Sequence, residues 1–206
     1  MKICNISNQP VFGDNTNTAN KEKTRALIGS IIGTTVPLVL QMKKQGVKNP
    51  LKLTYGIKDM VVLSAGSVAG GVVGGSVCVS KERRTKKFKE GVFQFFNAVI
   101  PTLFVGGVMK IQENTNCLRS VPLKIAGVVG GIIAGMYTAV KLSNKIFDPK
   151  DKIPDRKIGV KDCVASADEL IGALVIAKFP LIDKLHADKI LPLVYSYCGY
   201  RAGSAK

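Results

Sequence analysis

Ionisable side chains inside an otherwise apolar stretch are the residues of this sequence best suited to chemistry. Asp168 and Glu169 directly precede the apolar segment Leu170–Ile182, and Lys178 interrupts it. A charged group at membrane depth is costly, so such groups commonly serve an ion or substrate pathway. Alternatively, Asp168 and Glu169 lie in the first turn of a helix, where carboxylates interact favourably with the helix dipole.

Prolines within apolar segments extend this candidate pathway. Asn97 lies four residues before Pro101, and the two share one apolar segment. A proline inside a helix leaves a backbone carbonyl without its usual partner, which makes that oxygen available to a ligand. The candidate path therefore consists of Asn97, Pro101, Asp168 and Lys178. Ordinary kinks that help membrane helices to pack are the alternative explanation of the prolines.

The sequence contains no recognisable catalytic or metal-binding motif. It lacks a Gly-x-Ser-x-Gly elbow, a phosphate-binding loop and a His-Glu-x-x-His pair. The five cysteines are widely spaced without a Cys-x-x-Cys pair, and His186 is the single histidine. We therefore expect neither an enzyme nor a bound cofactor or metal. Cys78 and Cys198, which have apolar neighbours, are expected to pack as small apolar side chains.

Four uncharged apolar segments must position these residues. A helix needs about 20 residues, and at least about 17, to cross the hydrocarbon core of a bilayer. The segments reach or approach this length, and soluble helices rarely stay apolar on every face for so long. The segments are Ala26–Met42, Met60–Ser80, Val92–Met109 and Ile125–Val140. They predict an all-α, polytopic membrane bundle.

A glycine-rich pattern occurs twice along these segments. Gly70, Gly71 and Gly75 recur in the same spacing in the segment 130–135. Glycines four residues apart form a groove in which a second helix backbone can approach closely in lipid. The predicted helix-packing residues are Gly66, Gly70, Gly71, Gly74, Gly75, Gly127, Gly130, Gly131 and Gly135. Contacts within the chain and homo-oligomer formation are both compatible with the pattern.

The repeated pattern also predicts how the chain is organised. Residues 1–23 are polar and predict a disordered tail. Two helical hairpins follow, over residues 24–89 and 90–157, each with a proline-bearing helix and then a glycine-rich one. Residues 158–206 are either a divergent third hairpin or an interfacial hairpin. The bundle would accordingly have four to six transmembrane helices.

Positive charge concentrates between the apolar segments. The formal net charge is +16, and the densest basic run follows the first glycine-rich segment as a predicted linker. We expect this run to contact anionic lipid head groups through Lys81, Arg83, Arg84, Lys86, Lys87 and Lys89. Nucleic acid is not an expected partner, because the sequence has no platform of interleaved aromatic side chains on which single-stranded bases could stack. The distribution of Lys and Arg between the two sides places both termini in the cytoplasm.

These features support two functional hypotheses. The first is a non-enzymatic membrane protein with a structural or assembly role. The second is a small transporter or channel whose polar path lies in the third hairpin. A polar cavity at mid-membrane would favour transport, whereas a closely packed interior would favour the structural role.

Overall fold

A computed structural model of the chain describes residues 14–115, 121–150 and 187–205. Within these ranges every regular element is a helix, and no strand is present. The five α-helices are α1 (Asp14–Gln45), α2 (Ile57–Ser76), α3 (Lys81–Asn114), α4 (Val121–Phe147) and α5 (Leu191–Ser204). Short 3-10 turns at Pro50–Lys52 and Ala187–Ile190 precede α2 and α5. The predicted all-α class is thus confirmed.

Four of these helices are long and apolar enough to cross a membrane. The candidate spans are Thr18–Gln45, Ile57–Ser76, Lys81–Gln112 and Pro122–Phe147, and each overlaps one of the predicted apolar segments. Many large apolar side chains on their outer faces are exposed, including Ile32 and Ile133. A surface of this kind suits lipid better than water. The architecture is that of a multi-pass integral membrane protein.

Local backbone chemistry explains where α1 ends and where α2 begins. Gly46 follows the last residue of α1 with a φ of +66°, a left-handed conformation that glycine adopts without a Cβ penalty. The Val47 N–H then donates to the Met42 carbonyl at 3.0 Å and closes the last turn. At the start of α2, the Asp59 carboxylate accepts a hydrogen bond from the Gly56 N–H at 3.1 Å. Both ends are therefore fixed by local interactions.

A tight turn joins α2 to α3. Within it Cys78 has a φ of +57° and is exposed, so the expectation that this side chain packs among apolar neighbours is wrong. Arg25 donates to the Val77 carbonyl at 2.8 Å, and Arg84 donates to the Val79 carbonyl at 3.1 Å. Two arginines from different helices thus hold the turn in a conformation that a non-glycine residue rarely adopts.

Helices extend into two segments that the sequence did not assign to helices. α1 begins at Asp14, so residues 14–23 are helical rather than part of a disordered tail. α3 begins at Lys81, so the predicted basic linker forms its first turns. Since Lys89 lies inside α3, the boundary between the two predicted hairpins falls within a helix. The ion pairs of Glu22 with Arg83 and Lys87, described below, join these two helix starts.

The helices lie side by side. α1 and α2 are antiparallel, as are α3 and α4, and α5 packs against α1, α2 and α3. α4 packs chiefly on α3, through a cluster of Val105, Val128, Ile132 and Met136. α5 enters the core through Leu191 and other apolar residues of a second cluster.

One end of the bundle, here called the basic end, gathers most of the described positive charge. It is where α1 and α3 begin and where α2, α4 and α5 finish, as shown by contacts that join Lys87 to Gly203 and Phe88 to Phe147. Because α5 begins at the opposite end, it runs parallel to α2 and α4. The predicted segment Leu170–Ile182 lies outside the described residues.

Candidate functional site

The first glycine interface joins α1 to α2. A Cβ on Gly70 would overlap the Gly29 carbonyl oxygen and would lie 2.9 Å from the Gly33 Cα. A Cβ on Gly66 would overlap the Gly33 carbonyl oxygen, and one on Gly74 would overlap that of Arg25. Since the helices touch through their backbones, only glycine fits at these positions.

The second glycine interface lies on the next face of α2 and receives α5. A Cβ on Gly71 would overlap the Gly199 carbonyl oxygen, and one on Gly75 would overlap that of Gly203. One turn away, the Ser67 hydroxyl donates to the Tyr195 carbonyl. α2 is therefore held at backbone distance on two adjacent faces, by α1 on one and by α5 on the other.

The glycines of α4 behave differently. Gly127 faces Gln112, and Gly131 faces Val105, both on α3. A Cβ on Gly135 would overlap Pro101 and lie 2.8 Å from its nitrogen. These three glycines thus contact a single neighbouring helix.

Gly130 does not take part in this packing. It is exposed, and a Cβ there would meet nothing within 4 Å. For contacts inside the chain, the prediction that Gly130 is a packing residue is therefore wrong: within the described residues it packs against no other helix. The physical reason is that α3 packs on the side of α4 that carries Val128, Ile132 and Met136, and Gly130 lies on the opposite side.

The candidate path residues are only partly described. Pro101 is buried against Gly135, where it fills the space between α3 and α4. Asn97 is 5% exposed and lies one turn nearer the basic end. Asp168 and Lys178 lie outside the described residues. Of the four candidates, the structure therefore places two, Asn97 and Pro101, which lie one turn apart on α3.

Five of the six predicted lipid-contacting residues lie on the surface of the basic end. Lys81, Arg83, Arg84, Lys86 and Lys89 are exposed, and the Lys89 ammonium lies 5.6 Å from the centre of the Phe147 ring. These side chains can reach a head-group layer while their helix stays in the bundle.

Lys87 is the exception, and its assignment to lipid contact is wrong. Its side chain is 0% exposed and points into the bundle. Its Nζ lies 2.5 Å from Glu22 Oε1 and donates to the carbonyl oxygens of Gly203 at 2.5 Å and Ala205 at 2.9 Å. The reason is geometric: Lys87 lies on the inner face of α3, one turn before the buried Gly91.

This buried lysine joins three helices at one point. Glu22 comes from the start of α1, Lys87 from the start of α3, and the two carbonyls from the end of α5. Carbonyls at a helix C-terminus lack intrahelical partners and carry the negative end of the helix dipole, so a cation there is favourable. Arg83 adds a second positive group, 3.0 Å from the other oxygen of Glu22.

Sequence reasoning did not identify Glu22 or the end of α5 as parts of this arrangement. Glu22 belongs to the segment that the sequence predicts as a disordered tail, and Lys87 belongs to the basic run that it predicts to contact lipid. A usable signal was present in the helical spacing, because Lys87, Glu90, Gln94 and Asn97 recur every three or four residues. Of these four, Lys87, Gln94 and Asn97 are buried.

The described part of the chain contains no candidate metal centre. No group of three or more His, Cys, Asp or Glu side chains comes together within residues 14–115, 121–150 and 187–205. The described residues offer charge and close packing: at the basic end, exposed lysines face outward and the buried Lys87 joins three helices. Comparison with protein-family models, curated proteins and solved structures found no match to this chain.

Proposed function

We propose that this protein is a non-enzymatic structural or assembly component of a membrane, anchored by a basic end that binds anionic lipid head groups. Both termini would lie on the cytoplasmic side, because loops rich in Lys and Arg stay there. In this proposal, the helical hairpins supply a rigid scaffold and the exposed lysines supply the attachment to lipid.

The backbone contacts of α2 carry the proposal. On one face Gly70 approaches Gly29, and on the next Gly71 approaches Gly199, so closely that neither position has room for a methyl group. Small residues in membrane helices gain van der Waals contact by this approach, since lipid offers no hydrophobic driving force. Such packing leaves no passage between α1, α2 and α5 at these levels, which favours a scaffold over a conduit.

The glycine pattern also bears on tandem duplication and self-association. We infer that the two hairpins arose by duplication, with a proline in the first helix of each and glycines along the second. Most of the glycine faces are occupied by helices of the same chain. Homo-oligomer formation through glycine would therefore have to use the outward Gly130 face.

Binding of anionic lipid by the basic end can be tested by matched charge removal. The variant K81Q/K86Q/K141Q/K145Q removes four exposed lysines from the basic end, and K43Q/K44Q/K48Q/K58Q removes four from the opposite end. Each protein is reconstituted in nanodiscs of phosphatidylcholine with increasing fractions of phosphatidylglycerol. The measurement is the enrichment of phosphatidylglycerol around the protein, by mass spectrometry of the lipids retained.

We expect wild type and the opposite-end variant to enrich phosphatidylglycerol, and the basic-end variant to lose most of that enrichment. Added salt should weaken the enrichment, because exposed charges are screened. Equal behaviour of the two four-lysine variants would contradict the proposal. A parallel extraction of membranes with alkaline carbonate should leave the protein in the pellet.

A small transporter or channel is the second candidate function. The observation in its favour is the polar character of the interior, where Asn97 and Gln94 are buried and the fully buried Ser64 hydroxyl has no hydrogen-bond partner within the described residues. Proteoliposomes that release trapped potassium ions faster than protein-free vesicles, with slower release in N97L, would favour transport. We expect no release above the protein-free background.

A further inference from the structure

We propose that the outward face of α4 binds one anionic phospholipid, with its acyl chain along a strip of small residues and its phosphate at two lysines. This inference rests on the proposed function and narrows it from the whole basic end to a single helix face. The face comprises Ala126, Gly130, Ala134, Tyr137, Lys141 and Lys145.

These residues form one continuous outer surface. They recur every three or four positions, which places them on one side of a helix, and all are exposed. The opposite side of α4 packs on α3 through Val128, Ile132 and Met136. The face is thus free of other described helices along its length.

The basic end of this face has the chemistry of a head-group site. The Lys141 ammonium lies 4.8 Å from the centre of the Tyr137 ring, a cation–π arrangement that directs the lysine toward the apolar part of the helix. Tyrosine favours the membrane interface, where its ring is apolar and its hydroxyl is hydrated. Lys145 lies one turn further toward the aqueous side, so two positive charges border the level at which a phosphate would lie.

The middle of the face is shallow, which suits an acyl chain. Gly130 has open space around it, with no atom within 4 Å of a built Cβ. Ala126 and Ala134 continue the strip above and below it, and the larger Val129 and Ile133 stand exposed along one edge. The acyl chain of a lipid lying on this strip would contact the helix while the head group of the same lipid reached Lys141.

Charge argues against a second copy of this protein on the same face. Two copies in one membrane share an orientation, so a two-fold axis along the membrane normal would place Lys141 and Lys145 against their own counterparts. Like charges brought together across an interface oppose association. An anionic lipid supplies the missing negative charge, and a second copy does not.

The absence of tryptophan from the chain permits a direct test. Y137W places a single tryptophan in the face and keeps an aromatic ring beside Lys141, and F104W places one at an exposed position of α3. Both are reconstituted in phosphatidylcholine that contains either brominated phosphatidylglycerol or brominated phosphatidylcholine. The measured quantity is the ratio of quenching by the two brominated lipids.

We expect brominated phosphatidylglycerol to quench Y137W several-fold more effectively than brominated phosphatidylcholine does. The two brominated lipids should quench F104W about equally. In the Y137W background, K141Q/K145Q should weaken phosphatidylglycerol binding about thirtyfold, the size expected for two lysines at a membrane surface. K81Q/K86Q removes the same amount of charge from the start of α3 and should change the affinity for phosphatidylglycerol less than threefold. Inorganic phosphate should not compete.

A second variant tests the acyl-chain strip without touching charge. G130L fills the open space and should lower quenching of Y137W by phosphatidylglycerol, whereas G107L, at another open glycine on α3, should not. Loss of binding in K81Q/K86Q but not in K141Q/K145Q would overturn the α4 site and leave the proposed function standing. Protection of Y137W from both brominated lipids, with cross-linking through G130C, would instead show a second copy on the face.

Discussion

At the scale of single residues, Lys87 shows how one buried charge can organise the end of a helical bundle. An unpaired ammonium at 0% exposure would be strongly destabilising, so its environment must supply compensation from several directions. Glu22 supplies a carboxylate, and α5 supplies two C-terminal carbonyls that would otherwise lack donors. Each of the three helices thus satisfies a group that another helix leaves unpaired.

Removal of either partner should therefore be costly, and the two costs should not add. We expect K87M or E22Q alone to lower the free energy of unfolding by about 3–5 kcal/mol, because a buried charge or helix end is left uncompensated. The double variant E22Q/K87M should lose less than the sum of the two. The measurement is unfolding in mixed detergent micelles by a titration of sodium dodecyl sulfate.

The control for these single and double variants is a substitution of the neighbouring residue. Lys86 is exposed, so K86M should change the free energy of unfolding by less than about 0.5 kcal/mol. Additive effects of E22Q and K87M would contradict a direct coupling between the two groups.

Gly70 and Gly130 occupy equivalent positions in the glycine pattern but should respond oppositely to a methyl group. G70A forces a Cβ against the Gly29 carbonyl and should destabilise the protein by about 1–3 kcal/mol. G130A meets open space and replaces a flexible residue in a helix, so it should stabilise by up to about 1 kcal/mol. The same detergent titration measures both, and a loss of stability in G130A would contradict the outward placement.

At the scale of helices, α5 packs against α1, α2 and α3 at the same time. Its Gly199 and Gly203 lie against α2, its Ser196 hydroxyl donates to the Thr34 hydroxyl of α1 at 2.9 Å, and its last carbonyls accept from Lys87 of α3. With only 14 residues, α5 is short for a span by itself. Its position therefore depends on these tertiary contacts more than on its own length.

Displacement of α5 can be followed through Cys198, which is 1% exposed. In a variant that keeps Cys198 as its only cysteine, G199L should push α5 away from the Ser67 carbonyl and raise the rate of maleimide labelling at least tenfold. Y197L, on the exposed side of the same helix, should leave the rate unchanged. Equal rates in the two variants would show that close packing at Gly199 does not hold α5 in place.

The sequence could predict the helices but not their rotation. Length and lack of charge identify the four candidate spans, because both properties are independent of neighbouring helices. Gly130 and Gly131 fit a packing groove equally well, and only the position of α3 decides which of them faces inward. Likewise the basic run from Lys81 to Lys89 resembles a linker until Glu22 and α5 are known to meet Lys87.

At the scale of the whole molecule, the two ends of the bundle differ in charge and in what their charges do. At the basic end, arginines and lysines hold backbone carbonyls, pair with Glu22 or remain exposed. At the opposite end, three glutamines donate to backbone carbonyls: Gln41 to Asp59, Gln45 to Thr54 and Gln112 to Leu123. This asymmetry is a physical basis for a single orientation in the membrane.

Orientation is testable with the turn residue Cys78, which is exposed at the basic end. A variant with Cys78 as its only cysteine should react with a membrane-impermeant maleimide only after the cells are permeabilised, since positive loops stay in the cytoplasm. A second single-cysteine variant, K48C with Cys78 replaced by Ser, places the thiol at an exposed position of the opposite end and should react in intact cells. The reverse pattern would place the basic end outside, and equal labelling of both thiols in intact cells would contradict a chain that spans the membrane between them.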